Sequence, residues 1–508
     1  MTDLISTYPV TIYNSLKRRK EPFTPVNPGR VGLYLCGPTV YGDPHLGHAR
    51  SALTFDIVFR LFRHLGYKVR YVRNVTDVGH LEDDLHQSGE DKIAKKARLE
   101  QLEPMEVAEA YTHSYHRAMD RLNILRPSIE PRATGHIIEQ IELVKAILAA
   151  GFAYEVNGSV YFDVEKYARE HDYGTLSGKV LEELQSDSRG TAGQSDKRSP
   201  MDFALWKKAA PEHLMQWPSP WGQGFPGWHT ECTAMSTKYL GIPFDIHGGG
   251  LDLQFPHHEA EIAQGVTGCG HAPVNYWMHN NMLTIDGQKM AKSIGNFITL
   301  DQLFSGDHPR LSQAFSPMTV RFFFLQAHYR SALDFSDEAL KGAERGYQKL
   351  MNILQLTEGF AVPEGGAVDE KLESEVRGLL RQVYQELCDD FNTARAMATV
   401  FEIGSRLNAL RHGQIAAGAL SADLVSEMIA TFRAIVVDVL GLLPEDSGDS
   451  DRVDGLVRLL IELRADARRK RDFATGDRIR DQLAALGVML RDDREGGTDY
   501  SLETVRGD

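Results

Sequence analysis

The stretch RVGLYLCGPTVYGDPHLGHARSALTFDIVFRLFRHLGYKVRYVRNVTD, residues 30–77, constrains the fold more than any other part of the chain. VGLYLC is a short, nearly continuous apolar run, as a buried parallel strand requires. A loop rich in Gly and Pro follows it. ARSALTFDIVFRLFRHLG then carries an apolar stripe at helical spacing and closes at Gly66, a helix stop. KVRYVRNV reads as the next strand. Strand, loop, helix and strand in that order predict an open parallel α/β sheet. Ligands of such sheets sit beyond the C-terminal ends of the strands. Cys36, the loop 37–44 and Thr76 fall at those ends.

The remainder of the chain is too long for one ordinary core. With 508 residues, 42% of them hydrophobic, two to four domains are expected. No apolar run approaches bilayer-spanning length. The opening MTDLISTYPVTIYNSLKRRK lacks an apolar stretch before its basic residues, so no secretory signal is expected. Cys36, Cys232, Cys269 and Cys388 lie far apart, which suits a reducing cytosol better than a disulfide framework. A formal net charge of −14 does not announce a nucleic-acid partner, although a local basic patch can still dominate one face.

Residues 90–125 read as helical and highly charged, and the helical region is expected to run on to about residue 150. SVYFDV suggests a strand, and QSDSRGTAGQSDKRS, residues 185–199, a flexible surface loop. Apolar and aromatic density returns from MDFALWK to DIHGGGLDLQFPHHEAEIAQ, where the second half of the sheet is placed. Beyond about residue 315 the pattern is consecutive amphipathic helices, interrupted by AVPEGGAV at 361–368. A mixed tail with clustered basic residues follows. The expected division is 1–125 and 226–315 for the two halves of a split Rossmann-like catalytic domain, and 126–225 for a connective insertion. A helical bundle (316–445) and a small mixed C-terminal domain (446–508) follow.

Three short segments carry chemistry. DPHLGHAR places His45, Gly47 and His48 at the start of the first helix, where free N–H groups suit phosphate; alone, it reads equally well as two surface histidines near a cap. GQKMAKSIGN brackets a small-residue loop with Lys289 and Lys292, which could neutralise a leaving pyrophosphate; alone, it reads as a solvated basic turn. FPHHEAEIA sets His257 and Glu261 one helical turn apart, as a hydrogen-bonded pair or as two legs of a metal site.

Taken together, PHLGH and KMAKS resemble the HIGH and KMSKS signatures of class I aminoacyl-tRNA synthetases. CGPTVYGDPHLGHARS, YVRNVTD, RPSIEPRATGHI, PMDFALWK, PSPWGQGFPGWHTECTAMS, DIHGGGLDLQFPHHEAEIAQ, NYWMHNNMLTIDGQKMAKSIGN and DDFNTARAM narrow the resemblance to the cysteinyl-tRNA synthetases of bacterial type. It covers essentially the whole chain, the tail RDFATGDRIRDQLAALGV included.

The resemblance implies one Zn2+ held by Cys36, Cys232, His257 and Glu261, a plausible tetrahedral set of two thiolates, an imidazole and a carboxylate. It implies that this zinc holds the substrate sulfur, so that no editing domain is needed, and that Thr76 and Trp228 line the amino-acid pocket. His45, His48, Lys289 and Lys292 become the expected catalytic residues. Gly47, His247, Gly249, Gly250, Asp252 and Lys292 become the expected nucleotide contacts, with ATP and Mg2+, and His247 is expected close to the adenine or to the amino acid. For HGGGLDLQ a glycine turn with an aspartate cap is the alternative, and for Trp228 an ordinary core aromatic. His258 and Glu259 are expected to point away from the metal, and Cys269 and Cys388 to be structural.

Expected partners are tRNA(Cys), L-cysteine and ATP, for a cytoplasmic monomer that touches no membrane. Arg468, Arg469, Lys470 and Arg471 are candidate phosphate contacts, or a solvated helix face. The chain departs from the family pattern after the second strand, where TDVGHLEDDLHQSGEDKIAKKAR is longer than usual and introduces His80. Two other functions fit parts of the pattern. A cysteine:amino-sugar ligase shares the adenylate chemistry but lacks the full anticodon-binding region, whereas here helices continue to about residue 440 and a basic tail follows. A non-catalytic synthetase-like RNA-binding protein has no use for intact HLGH, KMAKS and four metal-ligand candidates.

Overall fold

The computed structural model describes residues 4–502 apart from 80, 84–87, 180–195, 212, 291–293, 361–366, 417, 446, 471, 487 and 493–497. Lys292, His80, Arg471 and most of the expected loop 185–199 lie outside the described residues, as does most of the segment 361–368. The chain forms two compact units, residues 1–443 and 444–508.

At the centre of the first unit is a four-stranded parallel sheet in the order Val274–Asn280, Phe244–Gly250, Arg30–Leu35, Lys68–Arg73. Leu33 and Leu35 are 0% and 1% exposed, which is why this run tolerates so few polar residues. The helix Leu46–Leu65 returns the chain between Arg30–Leu35 and Lys68–Arg73, and Gly66 ends it at φ 108°, a backbone angle suited to glycine. That helix packs against the sheet, and the helix Trp228–Leu240 also contacts Arg30–Leu35 and Lys68–Arg73. The sheet thus draws strands from residues 30–73 and 244–280, with a separate five-stranded antiparallel sheet built between them from residues 153–226.

The expectation of helix through to residue 150 is corrected. Helices span Lys92–Glu100, Pro104–Arg121 and Ile137–Ala149, but 122–133 is not helical: the chain turns at Leu122–Asn123 and then comes alongside the sheet. The segment runs beside Lys68–Arg73, with parallel bridges Val72–Ile129 and Val75–Arg132. Pro127 and Pro131 forbid helix there and are tolerated beside a sheet edge. Apolar spacing alone did not reveal this added rim.

From Pro317 onward the first unit is helical: Pro317–Leu325, Asp337–Leu356, Glu370–Cys388, Thr393–Arg411 and Ala422–Arg433. Leu350, Ile353, Val376, Val383, Val400 and Leu407 supply its buried seams. The first helix stops at Leu325, and the chain then runs as a loop through His328 and Arg330 into the strand Leu333–Phe335. Arg50, two residues beyond His48, donates into that loop, to the carbonyls of His328, Tyr329 and Ser331 at 3.0–3.3 Å. The second unit has helices Ser447–Arg469 and Phe473–Ala485 and the hairpin Val488–Asp492 with Thr498–Leu502. No described helix is long and apolar enough to cross a membrane.

Candidate metal centre and nucleotide site

The strand Arg30–Leu35 ends directly at Cys36, and Cys232 lies one turn into the helix Trp228–Leu240. Their sulfurs are 3.6 Å apart. His257 opens the helix His257–Cys269, and Glu261 follows on the same face, its Oε1 3.2 Å from His257 Nε2 and 3.8 Å from Cys36 Sγ. One donor atom from each of Cys36, Cys232, His257 and Glu261 lies within 4.8 Å of every other.

The hydrogen bonds around this cluster leave its donors facing inward. His257 Nδ1 is 2.9 Å from His229 Nδ1, whereas His257 Nε2, despite its approach to Glu261, is a buried nitrogen with no aligned hydrogen bond. Glu261 Oε2 is 3.0 Å from His247 Nε2, leaving Oε1 for the centre. Two thiols, an imidazole nitrogen and a carboxylate oxygen fit a tetrahedral zinc ion, and the outer partners are of the kind that orient zinc ligands.

Charge in the cluster is strongly coupled. Burial pushes the Cys36 thiol up, and its hydrogen bond with Cys232 adds to that. Burial also acts upward on Cys232, but the Cys36 hydrogen bond and His257 outweigh it and hold it down to about 6. Burial alone would lower His257; Cys232 and Glu261 overcome this and hold it up at about 10. Glu261 resists its own burial through His247 and His257 and sits at about 2.

Three side chains differ from expectation. His258 does not point away: its Nε2 is 3.3 Å from Cys36 Sγ, and Cys36, His247, His258 and Glu261 form a second, overlapping donor group. A helix start lets adjacent residues reach one centre from neighbouring directions, which simple i,i+4 reasoning overlooks. Cys269 is exposed at the end of its helix, so packing gives it no structural role, whereas Cys388 is buried as expected. Glu259 does face elsewhere, accepting from the amides of Leu176 and Ser177 at 3.1 Å.

The third is His247. It is fully buried between Glu261 and the Trp277 ring, 4.5 Å away, so the structure sets it behind the metal cluster and not on an open nucleotide face. HGGG is the end of a strand and not a turn; a Cβ on Gly249 would lie 2.6 Å from His258 Cε1. Asp252 follows in a short 3-10 turn and is exposed. Thr76 is buried, its hydroxyl donating to Glu231 Oε1 at 2.7 Å. Trp228 is half-buried, with its ring 4.5 Å from that of His257.

His45 is the N-cap of the first long helix and His48 its third residue, and the two form a capping box. His45 Nδ1 accepts from Gly47 N at 3.1 Å, and His48 Nδ1 accepts from His45 N at 3.2 Å. With both Nδ1 lone pairs used, a neutral ring carries its proton on Nε2. Desolvation holds His48 neutral, down at about 4. Gly47 is required by this cap, since a Cβ there would meet His45 Cε1 at 2.9 Å.

Lys289 lies on a hairpin formed by Leu283–Ile285 and Gln288–Lys289. Asp286 and Gly287, at φ 50° and 73°, make the tight turn that an Asp-Gly pair favours. Lys289 is exposed, and its carbonyl accepts from Asn296 Nδ2 at 3.1 Å. Shortly beyond, Thr299 bridges His45, and Leu300 N donates to Pro44 O at 2.9 Å. The chain just beyond the second signature therefore meets the first through the backbone.

Residues 22–345 match the model of the tRNA synthetases class I (C) catalytic domain, and residues 382–444 match the DALR domain. The chain belongs to the class I aminoacyl-tRNA synthetases. Within that class its family is that of the bacterial cysteine–tRNA ligases. It is 56% identical to the cysteine–tRNA ligase of Porphyromonas gingivalis over 492 residues, covering 96% of this chain and 98% of the relative. With that of Chlorobaculum tepidum the identity is 49% over 500 residues, again 96% and 98% of the two chains. Among solved structures, Mycobacterium tuberculosis methionyl-tRNA synthetase in complex with methionyl-adenylate aligns with a TM-score of 0.59 at 15% identity, over 81% of this chain and 92% of that one. That likeness concerns the fold alone.

Proposed function

We infer that this protein is a cysteine–tRNA ligase, acting on L-cysteine, ATP and tRNA(Cys). The observation that carries the reading is the convergence of Cys36, Cys232, His257 and Glu261 at the C-terminal edge of the sheet that also carries the HLGH helix. The cysteine carboxylate attacks the α-phosphate of ATP, giving cysteinyl-adenylate and pyrophosphate. A hydroxyl of the terminal adenosine of tRNA then takes the acyl group and AMP leaves. No protein nucleophile is needed; catalysis is positioning and charge stabilisation.

The residue roles follow from placement. Cys36, Cys232, His257 and Glu261 are the proposed zinc ligands in preference to the group containing His247 and His258. This set has two thiols against one, and in the other group the Nε2 of His247 is already taken by Glu261 Oε2. Bound there, zinc would supply a Lewis acid that prefers a thiolate to a hydroxyl. Trp228 and Thr76 bound the amino-acid pocket. His45 and His48 present Nε2–H groups to phosphate oxygens at the positive end of the helix dipole. Lys289 and Lys292 neutralise the leaving pyrophosphate with its Mg2+. Gly249, Gly250 and Asp252 approach the nucleotide, and His247 acts through Glu261.

The division 1–125, 126–225, 226–315, 316–445 and 446–508 assigns the helical bundle to the inner corner of tRNA and the last unit to the anticodon. Four free cysteines support a cytoplasmic location. The test is an acceptor screen: purified protein with cysteine, ATP and either tRNA(Cys) or an amino-sugar. Charging of tRNA alone supports the reading, and product with the amino-sugar alone overturns it.

A further inference from the structure

Glu231 sits beside Cys232 in the segment WHTEC and is 1% exposed. Its Oε1 accepts the Thr76 hydroxyl proton, whereas its Oε2 is buried with no hydrogen-bond partner among the described residues. A bare buried carboxylate oxygen is costly, and native chains keep such atoms chiefly where something else satisfies them.

The Thr76 hydroxyl has one proton and two lone pairs. The proton goes to Glu231. One lone pair accepts from Asn74 Nδ2 at 3.2 Å. What remains is an acceptor, so toward a ligand Thr76 cannot donate. Asn74 is itself held in orientation: its Oδ1 accepts from Gly37 N at 2.8 Å and lies 3.8 Å from Cys232 Sγ. The strand end at Asn74–Thr76, the loop after Cys36 and the helix bearing Glu231 thus set an acceptor pair beside the sulfur cluster. Two acceptors, one of them a carboxylate, select a cationic donor. An amino acid whose sulfur is held at that cluster carries its ammonium group three bonds away from the sulfur.

We propose that Glu231 recognises the α-ammonium group of the amino-acid substrate, together with Thr76, whose hydroxyl it and Asn74 turn into an acceptor. The proposal rests on the cysteine-ligase reading and deepens it. Thiol recognition and ammonium recognition are then adjacent but separate, since Glu231 is not among the proposed metal ligands.

The test uses the full-length, zinc-loaded protein and two ligands, L-cysteine and 3-mercaptopropionate, which is cysteine without its ammonium group. Glu231→Gln keeps the side-chain volume. By calorimetry it should raise the Kd for cysteine on the order of tenfold or more, the scale of one lost charged hydrogen bond. It should leave 3-mercaptopropionate within about twofold, by the same conversion. Zinc content, measured by plasma emission, should match wild type.

Equal weakening of both ligands would mean a structural role and would overturn the proposal. No weakening of either would mean that Oε2 is satisfied by water only, and would overturn it as well. Thr76→Val provides a second arm: its loss and that of Glu231→Gln should be far from additive, and additive losses would refute action through Thr76. A wild-type protein that neither binds cysteine nor exchanges pyrophosphate in its presence would overturn the ligase reading itself, before any variant is compared.

Discussion

The metal centre and the phosphate-handling signatures lie on the same sheet edge but are built in opposite ways. Cys232, His257 and Glu261 are each 1% exposed, and each has its orientation set by further buried groups such as His229, His247 and Asn74. Lys289 is exposed on a short hairpin, and His45 and His48 are half-buried on a helix cap. The contrast follows from the two tasks. Selecting a thiol requires donor atoms placed before the ligand arrives, which burial and dense hydrogen bonding provide. Handling a triphosphate requires charge that meets the substrate as it enters and releases pyrophosphate afterwards, which suits flexible cations at a surface.

The sharpest test of this contrast is Cys232→Ser. It should lose zinc and lower cysteine-dependent pyrophosphate exchange by about a thousandfold or more, because hydroxyl is a poor zinc ligand and the remaining donors stay buried. Metal analysis alongside exchange kinetics checks this; full activity without zinc would refute the metal's role. On the other side, Lys289→Ala should lower the maximal exchange rate by roughly a hundredfold, the scale of one lost electrostatic contact in a transition state. Zinc content and the Kd for cysteine should not move. The Lys292→Ala protein should behave in the same way, and an unchanged maximal rate would remove either lysine from the mechanism.

Deleting residues 444–508 addresses a different boundary. That segment is compact in itself. Its loss should leave pyrophosphate exchange within about threefold and lower tRNA charging by on the order of tenfold or more, as expected when phosphate contacts are removed. Parallel loss of both half-reactions in a folded truncated protein would show that the segment serves general stability.

The smallest expected effect concerns the brace behind the HLGH helix. Ser114 of the helix Pro104–Arg121 donates to Asp43, and the Tyr115 ring stands perpendicular to that of His48, 6.1 Å away. The same helix is anchored through His116, whose Nε2 is 2.6 Å from Glu130, and Arg73 pairs with Glu130 at 2.7 Å. Burial acts to raise the Glu130 carboxyl, but His116 and Arg73 outweigh it and hold it at about 2. A depressed carboxyl stabilises the fold above its unfolded value of about 4.3, and that contribution fades as pH falls toward 2. Glu130→Gln should therefore cost roughly 2–3 kcal/mol at pH 7 and progressively less down to pH 3. Urea denaturation across that range checks the trend. A constant deficit at every pH would mean that packing, and not charge, carries the effect. Zinc content should be unaffected, since the brace lies on the signature side.

Local pattern along the chain was enough to specify the parallel sheet, its crossover helix and the helical region, which depend on periodicity and helix stops; the set Cys36, Cys232, His257 and Glu261 was implied by the family resemblance, local pattern alone leaving His257 and Glu261 open between a hydrogen-bonded pair and a metal site. Tertiary structure decided how groups distant in sequence share atoms. His247 reads as a nucleotide neighbour in HGGG but bonds Glu261; His258 reads as pointing away but approaches Cys36; Glu231 carries no signal in WHTEC until Thr76 is found against it. The rim at 128–133 is of the same kind, since its hydrogen bonds include partners at Tyr71, Arg73 and Val75, far from it in sequence. Hydrogen-bond satisfaction in a buried site is a property of the assembled surroundings, and no periodicity along one strand or helix encodes which partner will complete it.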